Sequence, residues 1–168
     1  MAIPAAILVC IIILGDQVPA QPTGEERESI ARQVSSDQKF VADMESVLPP
    51  GAMVFQFPVM DFPEAPLREV SAYDHLRPYL YSHHLRFSFG SVKGRPREEW
   101  QKNLLALTLP EAVAELKKRG FSALSVNRNA YPDGAHELEQ NLRALGYSEM
   151  IQSAEGDLFC VIVVSSSR

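Results

Sequence analysis

The sequence predicts a small layered α/β domain, in which a mixed sheet of about five strands is flanked by helices and closes with an antiparallel pair at the C-terminal end. Three observations support this prediction. Short apolar runs alternate with longer segments in which apolar residues have helical spacing. The last two runs are separated by the turn Glu155-Gly156-Asp157, which is typical of a hairpin. The composition, 46% hydrophobic and 22% charged over 168 residues, excludes a disordered, collagen-like or coiled-coil chain.

The first helix is predicted to begin at Thr23, because Thr23 and Glu26 have the spacing of a capping box. Apolar residues then keep helical spacing as far as residue 47, either in one long helix or in two helices broken near residues 35–36. The sequence Pro49-Pro50-Gly51 ends this helical region.

Two strands and a short helix are predicted in the middle of the chain. Residues 52–57 form an apolar run, and residues 85–89 alternate between apolar and polar side chains, as strands do. Residues 58–72 have no period and are predicted to form an extended loop. Residues 73–82 have the spacing of a short helix, although Pro78 conflicts with a helix interior.

Two consecutive helices are predicted next. Pro96 suits the first turn of a helix that continues to residue 107. Thr108 is then the N-cap of a second helix, with Pro110 in its first turn. The run Lys117-Lys118-Arg119-Gly120 ends that helix, because it places cations at the negative end of the helix dipole and a glycine just beyond it.

The C-terminal part of the chain is predicted to complete the sheet. Residues 121–126 read as a strand, and Asp133 caps a helix that ends at Gly146. Residues 149–152 and 158–164 form the closing hairpin.

The N-terminus is distinct in composition. Residues 1–15 are an apolar segment, residues 16–22 a linker rich in Pro and Gln, and residues 23–168 the α/β domain. The apolar run is shorter than the roughly 20 residues of a complete membrane span, and no Lys or Arg precedes it as in a secretory signal. Three interpretations of this run stay open: a buried core segment, a degenerate signal peptide and the end of a membrane span. The abrupt change to a polar linker favours the span, and the scarcity of flanking cations places its exit away from the cytoplasm.

Charge is segregated along the chain. The formal net charge is −5, yet residues 68–97 carry six basic and two acidic residues, a net charge of +4. This basic segment contains most of the candidate binding residues. Two interpretations of this segment stay open. Asp74 and Arg77 form one ion pair on a helix surface, or Arg77, Arg86 and a histidine form an anion pocket in which guanidinium groups bind phosphate or carboxylate.

Two further groups of candidates follow. Lys93 and Arg95 lie in a basic, glycine-containing loop before a helix, which is either a solvated loop or a site for an anionic headgroup or lipid-linked phosphate. Arg128 follows a predicted strand, where ligands of α/β sheets collect.

Several classes of site are excluded or disfavoured. The adjacent His83 and His84 project to opposite sides of a strand without a third ligand of suitable spacing, so no metal site is predicted. Cys10 and Cys160 lie in apolar runs, which do not activate a thiolate. The sequence has no dinucleotide fingerprint and no P-loop, so no cofactor is predicted. The acidic net charge argues against a nucleic-acid partner.

The segments 48–58, 73–80, 85–95 and 120–134 together resemble the C-terminal soluble region of bacterial polytopic membrane proteins described as GT-C-type glycosyltransferases, sugar translocases or phosphoglycerol-transferase-like proteins. The resemblance covers residues 36–164 by the order of these segments. It implies a small α/β domain on the extracytoplasmic side of the bacterial cytoplasmic membrane. In GT-C-type enzymes the catalytic acid belongs to a loop among the membrane spans, so the resemblance carries no catalytic residue to this chain.

The resulting expectation is an accessory domain that binds or positions a saccharide or phosphate-bearing acceptor, such as a lipid-linked sugar, without its own catalytic centre. We expect the chain to contact the membrane through its N-terminal segment. Two alternatives stay open: a self-contained enzyme that acts on an anionic sugar through the Asp74/His75/Arg77 region, and a structural interaction domain. The expected ligand-binding residues are spread over the basic segment and one strand end: Asp74, His75, Arg77, Arg86, Lys93, Arg95 and Arg128.

Overall fold

The computed structural model describes residues 21–62, 70–71, 73–92 and 94–164, without the side chain of Arg97. The chain divides into two compact units, Met1–Arg32 and Gln33–Arg168. The apolar segment 1–15 and most of the linker 16–22 lie outside the described residues, so the predictions made for them stay predictions. No helix in the described ranges is long and apolar enough to cross a membrane.

The first unit contains the start of helix α1, which has the bounds Gly24–Val47. The capping box is present as predicted: the Thr23 backbone N–H donates to Glu26 Oε2 at 2.7 Å, and the Glu26 N–H donates to Thr23 Oγ1 at 3.2 Å. Because these two bonds satisfy amides that have no partner inside the helix, they fix where α1 begins. The region predicted as one or two helices is a single helix.

The second unit is built on a five-stranded sheet whose strand order is β3-β1-β5-β7-β6. The central strand β1 is parallel to both β3 and β5, and β7 is antiparallel to both β5 and β6. The predicted mixed α/β sheet with an antiparallel C-terminal pair is therefore confirmed. The bounds of the five strands are β1 Met53–Phe57, β3 Arg86–Phe87, β5 Phe121–Asn127, β6 Met150–Gln152 and β7 Leu158–Ile162.

Helices cover both faces of the sheet. Helices α3 (Pro96–Leu105), α4 (Leu109–Lys118) and α5 (His136–Ala144) each contribute buried residues to one core. Residues of α1 form the core on the opposite face. Strand residues alternate between the two cores, as the pleat requires, with Phe159 and Val161 in the first and Leu158 and Cys160 in the second.

The middle of the chain differs from its prediction in two respects. Residues Asp61–Phe62 and Ser91–Val92 form strands β2 and β4 of a separate two-stranded parallel sheet, where loops were expected. Residues 73–82 form a 3-10 turn, Asp74–Leu76, followed by the short helix α2, Arg77–Tyr81. Pro78 lies in the first turn of α2, where its missing N–H has no helical partner to lose, so the expected conflict does not arise.

Candidate functional site

One cleft in the second unit combines basic, aromatic and buried polar side chains. It has a volume of about 340 Å³ and lies at the start of β1 and β5, beside α3. We call it the α3 cleft. The residues of its lining that matter here are Met53, Arg86, Trp100, Gln101, Arg119 and Phe121.

The sheet register directs Arg86 towards this cleft. Arg86 lies directly opposite Met53 in the parallel β1–β3 pair, so their side chains share a face of the sheet. Met53 packs against the core of α3, α4 and α5, whereas the next residue, Phe87, belongs to the core on the α1 face. Arg86 is exposed on an edge strand, which leaves its guanidinium accessible to a ligand.

Gln101 is the unusual residue of the cleft. Its side chain has a relative exposure of 0%, and within the described part of the chain neither its Nε2 nor its Oε1 has a hydrogen-bond partner. Buried polar groups in proteins are almost always paired, because each unpaired one costs about 1–3 kcal/mol. The buried carboxamide of Gln101 therefore has hydrogen-bonding capacity that no described protein group uses, and it belongs to the lining of a cleft.

Arg119 is held in a fixed position at the cleft. Its guanidinium carbon lies 4.4 Å from the centre of the Trp100 ring, a cation–π distance. Its Nε donates to Glu115 Oε1 at 2.8 Å, one helical turn earlier. These two contacts restrict its rotamers, so Arg119 presents a preorganised positive charge in the cleft that the exposed Arg86 also lines.

Trp100 forms the aromatic part of the wall. Its ring centre lies 5.9 Å from that of Phe55 and 6.3 Å from that of Phe121, and it is partly buried. It is also the only tryptophan of the chain. Its fluorescence therefore reports on the α3 cleft alone.

Arg77, predicted as an anion-binding residue, lies in a buried ion cluster instead of an open pocket. Its Nε and Nη2 donate to both oxygens of Asp37 at 2.9 and 2.6 Å, and Nη2 also donates to Asp157 Oδ2 at 2.8 Å. Arg77 is not paired with Asp74, the partner expected from their spacing. Its guanidinium fork is occupied by protein carboxylates, which leaves it little capacity for a ligand.

Electrostatics in this cluster favour the charged forms. Burial alone lowers the pKa of Arg77, but the bonds from Asp37 and Asp157 outweigh it and the pKa is raised. Burial raises the pKa of Asp157, but hydrogen bonds from Ser153 and Arg77 outweigh it and the pKa is lowered. The cluster joins α1, α2 and the turn before β7, so its role in this structure is to hold three segments together.

His75 is a core histidine. It is 4% exposed, and its Nε2 donates to the Pro58 carbonyl at 2.8 Å. Burial lowers its pKa, and the bond to Pro58 and the charge of Asp74 offset this only in part. Its own carbonyl accepts from Gln56 Nε2 at 2.7 Å, so both its ring and its backbone are part of the packing.

The lowered pKa of His75 predicts a loss of stability in mild acid. The unfolded chain takes up this proton below about pH 6.5, while the folded chain does so only at lower pH. Stability therefore falls as the pH drops below about 6.5, by at most about 1.4 kcal/mol per pH unit for this one group. The variant His75→Gln keeps a donor for Pro58 but removes the titrating ring. Its free energy of unfolding, measured in urea, should therefore depend less on pH between 6.5 and 5 than that of the wild type. The exposed His136→Gln is the control and should keep the wild-type slope; equal slopes in all three proteins would contradict this account.

The other candidates lie in different places. Asp74 Oδ2 accepts from the Ser71 N–H at 2.8 Å, in the turn before the 3-10 segment. Arg128, at the end of β5, donates to the Gly134 carbonyl at 2.9 Å and to Glu139 Oε2 at 2.5 Å. Both side chains are hydrogen-bonded to neighbouring protein groups, so each has a structural role where it lies.

Arg128 and Arg95 line separate polar depressions. That of Arg128, about 620 Å³, includes His136 and Arg143, and that of Arg95, about 490 Å³, lies between Gly94 and Lys102. Lys93 lies outside the described residues. Of the described candidates, only Arg86 lines the α3 cleft, so the structure does not gather the predicted set around one ligand.

Sequence reasoning missed Gln101 and Arg119 as site residues. Gln101 precedes the buried Leu104 by three residues, so it occupies the apolar face of α3, and a polar residue on that face was the available signal. Arg119 was explained by the helix dipole alone. Its contact with Trp100, 19 positions earlier in the chain, has no signature in the local sequence.

Nothing in the described ranges resembles a metal centre, since no group of three His, Cys, Asp or Glu side chains converges there. His83 and His84 instead meet Glu45, whose Oε1 accepts from the His83 N–H at 2.7 Å and from Ser82 Oγ at 2.8 Å. Cys160 is fully buried, and burial raises the pKa of its thiol, so it is not an activated nucleophile.

Comparison of the chain with protein-family models, with curated proteins and with solved structures returns no match.

Proposed function

We propose that this chain is a binding domain without its own catalytic centre, which holds the anionic part of a saccharide or phosphate-bearing acceptor in the α3 cleft. The wider role is that of an accessory domain of a membrane glycosyltransferase-like protein on the extracytoplasmic side. That role is supported by the apolar N-terminal segment and by the family resemblance of the sequence.

The observation that supports binding most strongly is the buried, unpaired amide of Gln101 in a cleft that two exposed arginines also line. Arg86 and Arg119 provide positive charge that phosphate or carboxylate complements. An aromatic and apolar wall, formed by Met53, Trp100 and Phe121, offers contact to the carbon skeleton of a ligand. Other buried polar atoms of the described residues also lack a partner, such as the Ser91 hydroxyl, but Gln101 is the one of them that lines this cleft.

The alternative of a self-contained enzyme has less support. It requires Asp74, His75 and Arg77 to act together on a substrate, with His75 as an accessible acid or base. His75 is buried and donates to a backbone carbonyl, and both carboxylates of the ion cluster occupy Arg77. A binding role uses only groups that are exposed or unpaired.

The test is a fluorescence titration of the 168-residue chain, because its only tryptophan lies in the α3 cleft. D-glucuronate and D-glucose 6-phosphate are the probes, and neutral D-glucose is the matched control. We expect a saturable fluorescence change with an acidic probe and a much weaker one with glucose. Each probe should be recovered unchanged after prolonged incubation, as read by NMR. Absence of a saturable change with both acidic probes, or their conversion to product, would overturn the proposal.

A further inference from the structure

We infer that the ligand of the α3 cleft is a small organic anion with hydroxyl groups next to its acidic group, as in an acidic sugar, and that Gln101 selects it. The inference rests on the proposed function, because it takes the α3 cleft as the binding site. It goes further by naming the chemistry that the ligand must have in addition to its charge.

The donor and acceptor inventory of Gln101 sets the first requirement. A carboxamide has two N–H donors on Nε2 and an acceptor on Oε1, and here both atoms are buried without a partner in the described part of the chain. A simple anion such as sulfate or acetate only accepts hydrogen bonds, so it satisfies Nε2 and leaves Oε1 unpaired. A hydroxyl group both donates and accepts, so a hydroxylated ligand satisfies both atoms.

Charge sets the second requirement. Arg86 and Arg119 line the cleft, and none of its described lining residues is acidic. Glu115 contacts Arg119 through Nε and leaves the outer edge of that guanidinium to a ligand. A neutral sugar satisfies Gln101 but gives the two guanidinium groups no anion to bind, although Arg119 keeps its ion pair with Glu115, so the ligand needs an acidic group as well as hydroxyls.

Volume limits the ligand to a small one. A cleft of about 340 Å³ is near the lower end of ligand pockets, which range from roughly 300 to 1,000 Å³. One sugar-sized ring fits this space. The Gln101 amide is closed off from water, so a ligand reaches it only after a side chain of the wall moves aside.

The experiment compares hydroxylated and simple anions on the wild-type chain and on Gln101→Met, which keeps the length of the side chain and removes both polar atoms. Trp100 fluorescence is titrated with D-glucuronate, D-glucose 6-phosphate, acetate and sulfate. We expect acidic sugars to bind about tenfold more tightly than the simple anions, as one or two added hydrogen bonds allow. Gln101→Met should remove that advantage, and it should weaken sulfate binding less than acidic-sugar binding, because sulfate pairs only with Nε2. The glucuronate and glucose 6-phosphate arms distinguish a carboxylate from a phosphate as the acidic group.

The control is Ser91→Ala. Ser91 has a buried hydroxyl without a partner in the described ranges, but it does not line the cleft, so its removal should leave all affinities unchanged. A second measurement needs no variant: the side-chain carboxamide resonances of Gln101 should shift more with an acidic sugar, which pairs with both Nε2 and Oε1, than with sulfate, which pairs only with Nε2.

The outcomes separate the two proposals. Equal affinities for acidic sugars and simple anions, with no effect of Gln101→Met and no selective shift of the Gln101 resonances, would overturn this inference and leave the proposed function intact. Absence of binding by every anion would overturn the proposed function itself.

Discussion

Replacing Arg77 by Met should destabilise the protein by about 3–5 kcal/mol, the cost of leaving buried charges without their partner. The Asp37 side chain is 4% exposed and that of Asp157 is 9% exposed, and among the described residues Arg77 is the one cation that contacts both. Without it, two carboxylates face each other across the amide of Gln33, which donates to Asp37 at 3.2 Å and to Asp157 at 3.3 Å. The free energy of unfolding in urea measures this effect.

Two comparisons make this prediction specific. Lys39→Met removes an exposed i,i+4 pair with Asp43 and should change stability by no more than about 0.5 kcal/mol. Adding Asp37→Asn to Arg77→Met should recover part of the loss, because it removes one of the two uncompensated charges. A loss below about 1 kcal/mol for Arg77→Met would mean that the cluster does not hold the three segments together.

Removing both arginines of the α3 cleft should have the largest effect on binding. Each hydrogen bond to a charged group contributes about 1.5–3 kcal/mol, so Arg86→Gln or Arg119→Gln alone should weaken binding of D-glucose 6-phosphate at least about tenfold. The double variant should weaken it about 100-fold or more if the two contributions add. The measurement is the same tryptophan titration, supported by calorimetry, since Arg119→Gln also removes the cation–π contact with Trp100.

The matched control is Lys118→Gln. Lys118 is exposed and adjacent to Arg119 but does not line the cleft, so it tests whether general positive charge is enough. The affinity of Lys118→Gln for D-glucose 6-phosphate should stay within about twofold of wild type at physiological salt, where exposed charges are screened. A decrease for Lys118→Gln as large as that for Arg86→Gln would show that the anion is held by the charge of the surface and not by this cleft.

The elements that the sequence predicted well are those with local signals. Thr23 and Glu26 mark the start of α1, Thr108 and Pro110 that of α4, and Gly156 the turn of the closing hairpin. In each case the residues that determine the structure lie within a few positions of one another. Two-residue strands such as β2 and β4 are too short for any periodicity, so they were missed.

The site could not be predicted in the same way, because its contacts are long-range. Arg77 is paired with residues 40 and 80 positions away, so an apparent member of a basic surface segment is a half-buried structural cation. Arg86 and Gln101 line one cleft because of the register of an edge strand and the packing of α3. The sequence shows that Gln101 is a polar residue on the apolar face of α3, but it does not show that a cleft lies beside it.

The most direct test of the central claim maps the ligand by NMR on the 168-residue chain. D-glucose 6-phosphate is added to isotopically labelled protein, and the indole N–H of Trp100, the NH₂ of Gln101 and the backbone amides are followed. The account predicts that the largest shifts occur at Trp100, Gln101 and Arg119 and saturate together. Largest shifts in the depression around Arg128 and Arg143, with Trp100 and Gln101 unaffected, would contradict it.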